Sequence, residues 1–277
     1  MNITAHLLAV NSSAVNSAVN NPLFADKALA NLPLSTASRY EDFSPKYNDL
    51  LAAMSVDEWN KLEPDMEEVD FSLNQVLCES GKTPAYMYFP TTAIVSLLYM
   101  TESGSSSEVA VIGNDGVVGI SLVLSGSNSP SQALVQTAGK GYRMRAQAAK
   151  NAIKRDGPIL NILLRYSQAM ITQVTQTAVC NRHHTIDQQL CRRLLLSLDR
   201  LSTNEIAVTQ EMLASMLGVR RESVTDAALK LQSAGIISYK RGLITILDRQ
   251  ALESRSCECY ATSRREQLRL QELPLVS

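Results

Sequence analysis

The spacing of apolar positions changes along this chain, and each change predicts a different kind of element. Residues 1–45 carry almost no periodic pattern; NSSAVNSAVNNP is rich in Asn, Ser and Ala and predicts a flexible N-terminal segment. A helical stretch follows over 47–62, with Leu50, Leu51, Met54 and Trp59 available for one face and an SxxE capping pattern from Ser55 to Glu58. Between 69 and 145, short apolar runs alternate with Gly, Asn, Ser and Pro, at 86–89, 93–100, 108–112, 117–124, 132–136 and 141–145. Many short strands at such intervals predict an antiparallel sandwich or barrel.

Gly157-Pro158 then opens a long helical pattern. Residues 159–179 contain no Gly or Pro, and Leu160, Leu163, Ser167, Met170, Val174 and Thr177 follow alternating three- and four-residue steps. That stripe suits either pairing with its own copy or packing on the barrel. A second helix over 185–201 brings Leu190, Leu194, Leu195, Leu198 and Leu201 to one side.

The most specific pattern is QEMLASMLGVRRESVTDAAL, residues 210–229. Ala214 stands where two helices must cross closely, Gly218 where the chain must turn with positive φ, and Val224 where the second helix faces inward. Thr209 is a candidate N-cap for the first helix. Arg220, Arg221, Glu222, Ser223 and Thr225 fall in the first turns of the second, the part that reaches base edges in a major groove. Two β-rich runs follow, Ile236-Ile237-Ser238-Tyr239 and Leu243-Ile244-Thr245-Ile246-Leu247, around the basic turn Lys240-Arg241-Gly242. A hairpin with a basic tip behind a helix-turn-helix makes a winged domain, in which Lys240 and Arg241 meet phosphates while the helix reads bases. The expected partner is double-stranded DNA.

Charge supports this division. The 277-residue chain has a formal net charge of −1, but residues 1–181 hold 12 Lys and Arg against 16 Asp and Glu, while 182–277 hold 14 against 11. The basic half contains the winged pattern. So small an excess implies a few well-placed cations and a dimer that doubles the contacts. No run reaches the length of a membrane span, and MNITAHLLAV lacks the features of a signal peptide, so a cytoplasmic location without membrane contact is expected.

The order of elements, together with VTQEMLASMLGVRRESV, resembles the Crp/Fnr family of bacterial transcription regulators over roughly residues 45–260. The resemblance implies an α+β chain: an antiparallel β-roll of the jelly-roll, cyclic-nucleotide-binding-like type, a long dimerisation helix and a C-terminal winged helix-turn-helix. Its expected divisions are 1–45, a flexible segment; 46–156, the sensor roll; 157–182, the dimerisation helix; 183–262, the DNA-binding domain; and 263–277, a C-terminal tail. GVRRESV matches the family's G-x-x-R-E-[ST]-V, which implies Arg221 as reader of a guanine, Glu222 as acceptor from a cytosine amino group and Ser223 near phosphate or thymine. A guanidinium fork also fits guanine O6 and N7 on chemical grounds alone. Asp226 departs from the pattern, standing where the cyclic-AMP receptor has a basic contact. A homodimer, RNA polymerase as a further partner and an effector of unknown identity complete what the likeness implies.

The sensor half departs further. Cyclic-nucleotide-binding members open their phosphate cassette with G-E-[LI] and close it with R-[ST]; here Gly119, Ile120 and Ser121 stand at the opening, Ser131 and Gln132 at the close. Without the Glu and the Arg, a cyclic phosphate loses charge-assisted bonds, and tight binding of cyclic AMP is not expected. Cyclic-nucleotide or redox response remains an alternative.

Other chemistry finds less support. The five cysteines, at 78, 180, 191, 257 and 259, lack the N-terminal cluster of the iron–sulfur branch. Cys257 and Cys259 read as packing or a thiol switch. Cys180 and His184 lie one helical turn apart, but two ligands do not make a metal site, and a polar corner with its rings on backbone groups is the simpler expectation. No metal or cofactor is therefore assigned. A barrel metalloenzyme would need histidines within the strands, and the three present, His6, His183 and His184, lie outside them, so no enzyme is expected. A scaffold with a degenerate winged domain is the remaining alternative.

Overall fold

Helices pack on part of each outer face of the roll, and the strands keep exposed residues such as Glu68, Asp70, Tyr99 and Lys140 where no helix covers them. The computed structural model describes residues 44–272 apart from 103, 125–127 and 156, with the side chains of 270–272 also left aside. The segment expected to be flexible therefore lies outside the described residues but for 44 and 45.

A 3-10 turn at Pro45–Tyr47 leads into α1 (Asp49–Ala52) and α2 (Val56–Leu62). The predicted single helix is broken at Ser55, which instead caps α2 in a capping box with Glu58. Seven strands follow: β1 (Met66–Phe71), β2 (Val76–Cys78), β3 (Tyr86–Pro90), β4 (Ile94–Met100), β5 (Ser106–Ile112), β6 (Gln132–Thr137) and β7 (Gly139–Arg145). They form two antiparallel sheets in the orders β1-β7-β3 and β2-β6-β4-β5. The chain crosses between the sheets at Ala138, and Phe71, Tyr88, Val95, Ile112, Ala133 and Val135 fill the space between them. Alternation sends the neighbours outward. Met87, Phe89, Tyr142 and Met144 pack under Leu50, Leu51, Leu62 and the helix α4 (Ala146–Lys154), whereas Ile94 and Val111 join the core of the C-terminal half.

The run 117–124, expected as a strand, is not one. Val118 makes a single bridge to Tyr88, Gly119 turns with φ 98°, and Ser121–Leu124 forms the short helix α3. A Cβ at Gly119 would lie 3.0 Å from the Tyr86 carbonyl oxygen, so the turn hugs β3.

The long helix α5 spans Pro158–His183. Its expected stripe is mainly an inward one: Leu163 and Ser167 are buried in their own subunit and Leu160, Met170 and Thr177 half-buried, while Val174 is exposed. Gln173, also buried, pairs its amide with both the N–H and the carbonyl of Val111, covering the open edge of β5. The exposed large apolar side chains of α5 are Leu164, Ile171, Val174 and Val179.

The C-terminal half holds α6 (Ile186–Leu198), β8 (Glu205–Ala207), α7 (Gln210–Leu217), α8 (Arg221–Ser233), β9 (Ile237–Lys240), β10 (Leu243–Ile246), α9 (Arg249–Arg255) and α10 (Glu258–Glu272). The hairpin β9-β10 gains β8 as a third strand, in the order β8-β10-β9. What was expected as a tail from 263 continues α10 as far as Glu272; the helix returns along α5, and Gln267 donates to Asp115 of the roll at 2.9 Å. No helix among the described residues is long and apolar enough to cross a membrane.

Candidate nucleic-acid interface

The corner between α7 and α8 forms as its sequence dictates. The Thr209 hydroxyl accepts from the Met212 N–H at 3.1 Å, starting α7. Gly218 ends it in the left-handed region at φ 65°, its N–H returned to the Ala214 and Ser215 carbonyls. Ala214 is buried at the crossing, and Val224, with no exposed surface, is the inward anchor of α8 beside Ala227, Ala228 and Leu231.

That packing fixes which side chains remain outside. Arg220, Arg221 and Glu222 are exposed and Ser223 is half-buried, all at the N-terminal end of α8. Arg220 occupies the cap position but makes no side-chain capping bond, and Glu222 is the acidic side chain of the helix's first turn. Thr225 turns back into the protein: its hydroxyl lies 2.9 Å from Gln210 Oε1 and 3.0 Å from the Arg221 carbonyl, each an acceptor. Of the residues expected at the interface, it alone among the α8 positions is engaged by its own domain.

The wing is a two-residue hairpin. Lys240 and Leu243 pair, leaving Arg241 and Gly242 at φ 50° and 79°, the positive-φ pair of a type I′ turn. Lys240 and Arg241 are exposed at its tip, and among the described residues no ion pair engages them, Arg220 or Arg221. Tyr239 anchors the wing by donating to the Val208 carbonyl at 2.9 Å, and burial raises its phenol pKa.

The winged half is joined to the roll by buried charges that the sequence reading passed over. Arg193 of α6 meets Glu108 of β5 through two contacts, Nε to Oε1 at 2.6 Å and Nη2 to Oε2 at 2.8 Å; both side chains are less than a tenth exposed. Gln136 and Ser197 also accept from Arg193, and Ser96 donates to Glu108 at 2.6 Å. Arg200 forms a bidentate pair with Asp115, with Nε to Oδ1 at 2.9 Å. Ser106 of β5 and Ser215 of α7 add a hydroxyl contact at 2.8 Å. The available signal was Arg192-Arg193 set inside the leucine-rich run LCRRLLLSL, for charges carried into an apolar helix need partners.

At the expected ligand positions, the Gln132 amide donates to a Glu79 carboxylate oxygen at 2.8 Å. Ser131 accepts through its carbonyl from the Ser129 hydroxyl at 2.8 Å. Gly119 and Ile120 form the turn into α3, which Ser121 begins.

The cysteines and His184 gather differently from expectation. Cys180, His184, Cys257 and Cys259 come together at one corner, and the His184 ring meets side chains rather than backbone: Nδ1 lies 3.6 Å from Cys259 Sγ and Nε2 lies 3.2 Å from a Glu258 carboxylate oxygen.

Two family models match this chain: the cyclic nucleotide-binding domain over residues 68–156 and the Crp-like helix-turn-helix domain over 188–255. Curated proteins provide no match. Among solved structures, a Crp/Fnr-family transcriptional regulator from Eubacterium rectale is similar at 16% identity and TM-score 0.58, covering 76% of this chain and 98% of its own. FixK2 from Bradyrhizobium japonicum is similar at 16% identity and TM-score 0.59, over 69% of this chain and 98% of its own. The regulator CLP of Xanthomonas campestris, described as responsive to c-di-GMP, is similar at 13% identity and TM-score 0.54, over 69% and 99%.

Proposed function

This chain belongs to the Crp/Fnr family of DNA-binding transcription regulators, and on that premise we propose that it acts as a homodimer whose two α8 helices read paired half-sites. The observation that carries the reading is the exposed Arg221 guanidinium at the start of α8, held on a helix whose opposite face is locked by Val224. Arg221 and Glu222 read base edges, Arg220 and Ser223 assist, and Lys240, Arg241 and Thr209 contact the backbone. Thr209 accepts the capping bond with one lone pair and retains its proton for a phosphate. Thr225 has a supporting role through Gln210.

The exposed row Leu164, Ile171, Val174 and Val179 on α5 supplies the seam between subunits. The roll does not hold cyclic AMP tightly, because the position closing the cassette is Gln132 and its amide is engaged by the carboxylate of Glu79, a charge that repels a phosphate.

Selection of duplexes from a random pool, followed by titration of the winning site, tests the reading. We expect Arg221→Ala to abolish discrimination between the winner and scrambled DNA. Lys240→Ala weakens both alike and lowers the slope of log affinity against log salt by about one. Retention of full sequence preference by Arg221→Ala would overturn the assignment.

A further inference from the structure

Two cysteine motifs that are each too poor to bind a metal meet where the long helix ends. Cys180 and His184 stand at the C-terminal end of α5, and Cys257 and Cys259 at the junction of α9 and α10, with the whole winged domain between them in sequence. We propose that Cys180, Cys257 and Cys259 through Sγ, and His184 through Nδ1, bind one Zn2+ in a closed tetrahedral site that clamps the C-terminal helices to the end of α5.

The four ligand atoms lie within 4.8 Å of one another, with Cys180 Sγ and Cys257 Sγ 3.5 Å apart and Cys259 Sγ 3.6 Å from His184 Nδ1. A tetrahedron with Zn–S bonds of about 2.3 Å and a Zn–N bond of about 2.0–2.1 Å has edges of about 3.6–3.8 Å. The set is thus close to the size required, and small side-chain movements complete it. Three thiolates and an imidazole favour Zn2+ over the hard cations, and the protein supplies all four ligands, as in a structural rather than a catalytic centre.

Three further features favour an ion here. Glu258 holds the Nε2 edge of His184 at 3.2 Å, which orients Nδ1 toward the thiols in the carboxylate–histidine–metal arrangement. The Gln189 amide donates to the carbonyls of both Cys180 and His184, fixing the helix end that carries the first two ligands. The third feature is Arg192. It is 6% exposed, its Nε finds no hydrogen-bond partner, and among the described residues no carboxylate forms an ion pair with it. Its Nη2 donates to the Thr177 hydroxyl at 3.1 Å, burial disfavours its charge, and the groups that would favour it are the three cysteines and the more distant Glu108. Zn2+ with three thiolates and a neutral imidazole carries one net negative charge, the counter-charge this buried guanidinium requires.

Full-length protein, purified under reducing conditions without a metal-affinity step, is assayed for metal by mass spectrometry and for reactive thiols before and after a strong chelator. We expect one zinc per chain, with three of the five cysteines reacting only after chelation. Titrating the stripped wild-type chain with Co2+ needs no variant, and should give a thiolate-to-metal charge-transfer band with the intense visible bands of a tetrahedral ion. Glu258→Gln lowers Co2+ affinity by about 10–100-fold, and Cys78→Ala leaves it unchanged. The proposal is overturned by a metal-free chain that shows no thiolate band with Co2+, by a native Cys180–Cys257 disulfide, or by an iron–sulfur chromophore. DNA binding is a separate readout, so loss of the zinc assignment leaves the regulator assignment standing.

Discussion

At the scale of single residues, the most informative positions are those where one atom decides a conformation. Gly218 sits at φ 65°, and a Cβ there would meet Ser107 Oγ at 3.5 Å and Ser107 Cβ at 3.8 Å, both ordinary contacts. The cost of Gly218→Ala is therefore backbone strain alone, about 1–2 kcal/mol, read as a fall of a few degrees in Tm by calorimetry. DNA preference of the folded fraction should be unchanged. Glu108→Ala acts by a different mechanism. It leaves the Arg193 guanidinium buried and unpaired, which costs about 3–5 kcal/mol, and denaturant titration should show it; a loss below about 1 kcal/mol would mean that water reaches the site. Thr209, Gly218 and Arg221 were legible in the sequence because caps, positive-φ turns and exposed helix starts depend on neighbours in the chain. The hydroxyl of Thr225 was not, since Gln210 approaches it across the turn, and neither was Glu108, whose partner lies on another domain.

Elements were legible in proportion to how far their own pattern governs them. The helix pair α7 and α8 and the hairpin β9-β10 contain their own turn signals and appear as expected, whereas the run 117–124 gave an apolar stretch without saying that Gly119 would bend it at φ 98° into a short helix. The polar sequence beyond 263 read as solvated, yet α10 finds a place along α5. On α5 itself the period was readable but not its phase. Leu163 packs with Met87, Phe89 and Tyr142 of the roll and Ser167 is buried, while Leu164 and Ile171 remain outside. Ile171→Asp should consequently separate the proposed dimer into monomers in sedimentation while leaving the circular dichroism unchanged. An undiminished dimer would move the seam elsewhere.

At the scale of the whole molecule, the two halves share a core. Ile94 and Val111 of the roll pack in one cluster with Leu190, Leu194, Leu213 and Val224, and the Arg193–Glu108 and Arg200–Asp115 pairs cross the same boundary. Calorimetry should accordingly show one cooperative transition, and Glu108→Ala should split it into two; two transitions in the wild-type chain would show that the shared core is too weak to couple them. Domain order was legible from sequence, but this junction was not, because its partners are scattered over strands and helices far apart in the chain.

The same junction limits how the chain can be recombined. Transplanting the winged portion onto an unrelated receptor would carry along two guanidinium groups, Arg193 and Arg200, whose anions stay behind on the donor. A working chimera must bring Glu108 and Asp115 with it or replace both arginines by apolar side chains. In this protein the unit of exchange is set by ion pairs rather than by the order of the domains along the chain.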